Sequence, residues 1–144
     1  MTDMEDYVTF EQAQRLKKLG FDWKCNHYYQ DNDQSLHINF YENFNKHSKL
    51  NTEDEKLIKV TLYSAPTMSQ AQKWLREKHN TIILVDTYFK NYKDGDYSKA
   101  EFEYVIVYMN FNATRKGSSK DDKLFESYEQ ALSAGIDKAL ELLK

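Results

Sequence analysis

Three times along this chain a hydroxyl residue is followed three positions later by glutamine, at the head of an apolar stripe with helical spacing. The pattern is a capping box. The hydroxyl accepts from the backbone N–H three residues on, and the glutamine side chain reaches back to the first residue's N–H, so two donors orphaned at a helix start are satisfied together. Thr9-Phe10-Glu11-Gln12, Thr67-Met68-Ser69-Gln70 and Ser127-Tyr128-Glu129-Gln130 therefore predict three helix starts.

The first helix carries Phe10, Ala13 and Leu16 on its apolar side, with Val8 and Ala13 placed for a weak hydrophobic staple, and should stop at Gly20. Pro66 precedes the second, whose apolar positions are Met68, Ala71, Trp74 and Leu75 and whose stop is Asn80. The third is the most periodic: Tyr128, Ala131, Leu132, Gly135, Ile136, Ala139, Leu140 and Leu143 lie on one face. Gly135 costs about 1 kcal/mol relative to Ala within a helix, so its place on the apolar face predicts close approach to a sheet.

Between these helices the period changes. Phe21, Trp23, Cys25, His27 and Tyr29 alternate with polar residues as in a half-buried strand, and Asp31-Asn32-Asp33-Gln34 is turn chemistry leading into Leu36, Ile38 and Phe40. Residues 43–56 read as a polar loop. Leu57 to Tyr63 reads as a further strand, Thr81 to Phe89 and Phe102 to Asn110 as a second pair, and Asp94-Gly95 marks the turn region between that pair. Residues 115–123 read as a charged loop.

The expected fold is α+β: a mainly antiparallel sheet of four or five strands with three helices, in the order α-β-β-(β)-α-β-β-α, as a single domain over residues 1–144. The capping boxes begin at residues 9, 67 and 127, which raises an internal α-β-β repeat, although capping chemistry alone produces the same echo.

The run from Ala65-Pro66-Thr67 to Lys78-His79-Asn80, which includes Trp74-Leu75-Arg76-Glu77, resembles a family of small uncharacterised proteins of Bacteroidetes and their bacteriophages, including crAss-like phages. Thr9-Phe10-Glu11-Gln12-Ala13 with Leu16-Lys17-Lys18-Leu19-Gly20-Phe21-Asp22, and Ser127 to Gly135, look like that family's two ends. The family has no assigned activity. The resemblance implies a phage or mobile-element setting and carries no residue role.

Charge and composition narrow the function classes. A net charge of −3 opposes broad attraction to nucleic acid. No apolar run approaches the roughly 18 residues of a membrane helix, and the acidic start Met1-Thr2-Asp3-Met4-Glu5-Asp6 does not resemble a secretory signal, so a cytoplasmic protein without membrane contact is expected. The one cysteine, Cys25, has no internal disulfide partner and accords with a reducing compartment.

Enzyme signatures are weak throughout. There is no Gly-rich phosphate loop, G-x-S-x-G elbow or H-E-x-x-H pair, so no catalytic residue and no cofactor are assigned. Asp86, beside the apolar run 82–85, would suit general acid work if it were buried. Cys25, His27 and His37 could converge on a metal if both histidines shared a strand face, but a fourth ligand is missing and no metal site is assigned.

Two binding surfaces remain. Eleven tyrosines exceed what a core of this size needs, and Tyr28, Tyr41, Tyr88 and Tyr104 lie in or beside strands where an uncovered face would present them to a protein partner or a second copy of the chain. Alternatively, Lys73, Arg76 and Lys78 on the helix over 67–79 could meet phosphates, though a helix-turn-helix would need another helix where 57–63 reads as a strand. A non-enzymatic protein-binding module is the leading expectation, followed by a nucleic-acid binder, then a small-molecule binder or enzyme.

Overall fold

The computed structural model describes residues 6–53, 56–91, 96–108, 114–118 and 124–143. The fold is α+β, with helices α1 (Phe10–Lys18), α2 (Met68–His79) and α3 (Tyr128–Leu142) and strands β1 (Cys25–Gln30), β2 (Leu36–Glu42), β3 (Ser48–Glu53), β4 (Lys56–Ser64), β5 (Thr81–Asn91), β6 (Asp96–Tyr108) and β7 (Thr114–Ser118). Instead of one sheet of four or five strands, there are two antiparallel sheets, a four-stranded one in the order β2-β1-β4-β3 and a three-stranded one in the order β5-β6-β7. The chain gathers into two compact units, Met1–Ala71 and Gln72–Lys144, and the division falls within α2.

Local chemistry places the helices where the capping boxes predict. Thr9 Oγ1 accepts from Gln12 N–H at 3.1 Å while Thr9 N–H donates to Gln12 Oε1 at 2.9 Å. Thr67 and Gln70 repeat the exchange at the head of α2, and Ser127 Oγ accepts from Gln130 N–H at the head of α3. The stops are equally local. Gly20 takes φ +94°, its N–H donates to Lys17 O, and Phe21 N–H donates to Leu16 O, the paired bonds of a Schellman turn. Asn80 ends α2 in the left-handed region at φ 50°.

In the N-terminal unit, α1 lies over the two central strands. Phe10 meets Tyr29 of β1 and Tyr63 of β4 edge-on, each at 5.7 Å between ring centroids, and Lys17 Nζ donates to Leu62 O at 2.9 Å. The register Tyr29↔Tyr63 sets these rings side by side on one sheet face. On the other face a core of Cys25, Tyr28, Phe44, Val60 and Leu62 closes over β1 and β4. Phe44 belongs to a 3-10 turn, Phe44–Lys46, inside the segment expected to be a polar loop. Asn45 holds that turn in place: its Nδ2 donates to Phe21 O at 2.8 Å and its Oδ1 accepts from Ser64 N–H at 2.8 Å.

Residues 48–53 of that expected loop form β3, which pairs with β4 from Ser48↔Thr61 to Glu53↔Lys56. Its sequence shows little hydrophobic alternation, and the ladder to β4 is what defines it. The same explains β7, which pairs with β6 where a charged loop was expected over 115–123. The expected turn at Asp94-Gly95 lies outside the described residues.

In the C-terminal unit, β5 and β6 form a long hairpin and α3 packs against both. The predicted close approach is present. A Cβ on Gly135 would lie 2.7 Å from Ile83 Cγ2 and 3.2 Å from Tyr104 Cβ, so the glycine is what lets helix and sheet meet at this distance. Ile83 and Ile106 are register partners beneath it and are buried.

Candidate protein-binding edge

Strand order decides which side chains are available, and β2 stands at the end of the four-stranded sheet with β1 as its neighbour. The turn before it is well made: Gln34 N–H donates to Gln30 O at 2.8 Å, and Asp33 accepts from Ser35 N–H at 2.9 Å. That amide, followed by His37, holds the Asp33 carboxyl below the usual carboxylate range. The strand then follows in the register Tyr29↔Leu36, Tyr28↔His37 and His27↔Ile38, with an irregularity beyond Ile38.

This register places Leu36 and Ile38 on the face that carries α1, and Phe40 lies in the irregular stretch beyond them. A helix about 10 Å wide covers roughly two strands spaced about 4.8 Å apart, so α1 over β1 and β4 leaves β2 bare. Leu36 is 40%, Ile38 75% and Phe40 86% exposed, and Tyr41 beside them is 60% exposed.

An edge strand of this kind ordinarily carries a charge or proline that discourages pairing. Three of the four edges conform. β3 contains Lys49, β5 contains Asp86 and Lys90, and β7 contains Arg115 and Lys116. β2 reads Leu-His-Ile-Asn-Phe-Tyr-Glu, with its one carboxylate at the far end. Among the described residues it is the edge without an interior Lys, Arg, Asp, Glu or Pro.

The expected binding residues divide accordingly. Tyr41 is exposed beside this edge. Tyr28 is buried at 7% exposure, stacked on His37 at 5.2 Å and against Phe44 at 4.7 Å between ring centroids, because the 3-10 turn covers the face it was expected to present. Tyr104 packs beneath α3 at Gly135 and beside the Phe125 ring. The side chain of Tyr88 lies outside the described residues. Sequence reasoning placed Leu36, Ile38 and Phe40 in the strand after the turn; their alternation was legible, but their exposure depends on strand order.

Lys73, Arg76 and Lys78 are all exposed on α2, yet helical periodicity turns Lys78 about 140° away from Lys73 and sets Glu77 one turn beyond Lys73 on the same flank. The three cations do not converge on one phosphate path. A shallow cleft beside α1 is lined by Glu11, Gln14, Arg15, Lys17, Lys18 and Tyr63. Its Lys17 is already committed to the Leu62 carbonyl and sits 4.8 Å over the Tyr63 ring, with burial lowering its pKa.

The histidine register that sequence left open is now fixed. His27 opposes Ile38 while His37 opposes Tyr28, so the two histidines point to opposite faces. No cluster of three metal-ligating side chains occurs among the described residues. Cys25 is buried with its thiol on His27 O at 3.2 Å, and burial raises its pKa. Asp86 is exposed opposite Glu103, not buried as general acid work would require.

No helix among the described residues is long and apolar enough to cross a membrane. Comparison with protein-family models, curated proteins and solved structures gave no significant match.

Proposed function

We propose that this protein is a non-enzymatic binding module, a phage or mobile-element accessory protein acting in the cytoplasm of a bacterial host, that takes up an extended protein strand along β2. The observation that carries the reading is the uncharged, apolar edge: Leu36, Ile38 and Phe40 at alternate positions, all exposed, on a strand with one neighbour among the described residues. Backbone groups along such an edge supply affinity to an incoming strand, and alternate side chains supply selectivity. The amide of Phe40 is held at 2.8 Å by the Asn39 side chain, a local contact that an incoming carbonyl can replace.

Selection of a surface-displayed library of extended peptides, on the wild-type protein and on a Phe40→Lys variant, tests the reading. Peptides with alternating apolar residues should be enriched, should bind Phe40→Lys at least about tenfold more weakly, and should hold their affinity as salt rises. No enrichment, or binding indifferent to Phe40→Lys, would refute strand addition. Capture that collapses between low and moderate salt and depends on Lys73 and Arg76 would favour the nucleic-acid alternative.

A further inference from the structure

We infer that the outer part of the β3–β4 hairpin, on the sheet face that carries α1, takes up an amphipathic helix of a partner protein with acidic residues turned towards α1. This surface lies at the opposite side of the sheet from β2 and is independent of strand addition there.

β1 pairs with β4 from Tyr28↔Ser64 to Gln30↔Leu62, so beyond Thr61 β4 has β3 alone beside it among the described residues. Unlike β2, this hairpin keeps an unbroken register, from Ser48↔Thr61 to Glu53↔Lys56. Tyr63 faces α1, and alternation along β4 puts Thr61, Lys59 and Leu57 on that same face, while Val60 and Leu62 turn into the core on the other. Leu50 is the register partner of Lys59 and so joins them. Leu50 is 67% and Leu57 75% exposed, so α1 does not reach them. Two strands about 4.8 Å apart present the width that one helix about 10 Å across covers, and a second helix beside α1 would complete the layer.

Charge selects which helix. The cleft along α1 is lined by Gln14, Arg15, Lys17, Lys18 and Tyr63, with Glu11 as its one carboxylate. The Lys17 pKa is lowered first by burial, raised by Asp31 and lowered again by Lys59, so Lys59 lies within electrostatic reach and joins the cleft to the floor of the hairpin. Arg15, Lys18 and Lys59 are exposed and have no ion-pair partner among the described residues. Four cations thus stand against the two carboxylates Glu11 and Asp31, and Lys17 and Lys59 repel one another. A carboxylate brought by a partner relieves that repulsion and pairs cations that now face solvent. The exposed leucines call for an apolar stripe beside those carboxylates, which is the pattern of a helix seated in a groove. A bare phosphate chain would meet the cations and leave Leu50 and Leu57 uncovered.

Selection of a displayed library of helical peptides on the full chain, followed by titration of a selected peptide, tests the inference. Enriched sequences should carry an apolar stripe at i, i+3, i+4 and i+7 flanked by Asp or Glu. Such a peptide should bind Arg15→Glu/Lys18→Glu at least about tenfold more weakly, and Leu50→Ser and Leu57→Ser each about threefold more weakly. Its affinity should fall as salt rises, because the cations are exposed. Phe40→Lys should leave that affinity unchanged, which separates this surface from β2. Each of these variants should keep the wild-type melting temperature, since every side chain replaced is exposed.

Failure to enrich acidic helical peptides would overturn the inference, as would binding indifferent to the charge reversals or to both leucine variants. So would a single-stranded oligonucleotide that displaces the selected peptide, depends on Arg15 and Lys18 and ignores Leu50→Ser, since the face would then be a phosphate site. Any of these results leaves strand addition along β2 standing, because no residue of β2 enters the contact.

Discussion

The two units set one helix against a sheet by different means. In the N-terminal unit, rings separate helix from strands: Phe10 bears on Tyr29 and Tyr63, and the opposite face is closed by Phe44 carried on a turn. In the C-terminal unit the backbone of α3 itself comes down on the sheet at Gly135. Large side chains between layers keep α1 over the central strands of a four-stranded sheet, while a glycine contact lets α3 sit close to β5 and β6. The contrast shows that one helix covers about two strands however it is packed. A four-stranded sheet then has uncovered edges, and the residues at each edge decide whether it stays unpaired.

Removing the ring that closes the N-terminal core should have the largest effect. Phe44 is 1% exposed, and Phe44→Ala should lower unfolding free energy by about 3–5 kcal/mol, read from denaturant titration. A loss under about 1 kcal/mol would mean that the turn is not what closes this face.

Next comes the glycine contact. Gly135→Leu should cost about 3 kcal/mol through overpacking against Ile83 and Tyr104. Gly135→Ala separates the two effects: helix propensity favours it by about 1 kcal/mol, the displaced neighbours oppose it by about 1–3, and a net loss is expected. A stabilised alanine variant would show that Ile83 yields freely and that the close approach is incidental.

Capping should matter similarly in both units because it is local. Thr9→Ala should cost about 1 kcal/mol, and Ser127→Ala a comparable amount. A large difference between them would mean that tertiary packing, more than the capping box, sets one of those helix starts.

The smallest effect is a pH dependence confined to the N-terminal unit. His27 packs on Tyr7 at 4.1 Å between ring centroids, and burial holds its pKa below the ordinary value of 6.5. The unfolded chain therefore binds the proton more readily than the folded one, so stability rises with pH through about 6.5 and is lost as pH falls below it. His27→Gln should flatten that part of the stability profile measured between pH 5 and pH 8. An unchanged slope would locate the proton linkage elsewhere.

What could be read along the chain was whatever neighbours in sequence settle between themselves. Thr9 with Gln12, Thr67 with Gln70, Gly20 and Asn80 act within a few residues, so helix starts and stops were legible. Gly135 was legible too, because a glycine weakens a helix and is tolerated on its apolar face where a neighbour leaves no room for a Cβ. Polar strands were not: β3 and β7 owe their conformation to hydrogen bonds with β4 and β6, partners a local pattern does not reveal. Alternation along residues 21–30 failed at Tyr28 for a related reason, since Phe44 covers the face expected to be open.

The α+β class, the positions of three helices and the alternation of Leu36 to Phe40 are thus properties of the chain as written, because each follows from residues close together along it. Folding in three dimensions was needed to make two sheets, to put Tyr28 inside and to leave β2 at an edge with its apolar residues uncovered. Those outcomes depend on which distant strands pair. A strand's neighbours supply its ladder of hydrogen bonds and much of its cover, and neither is written in its own side chains.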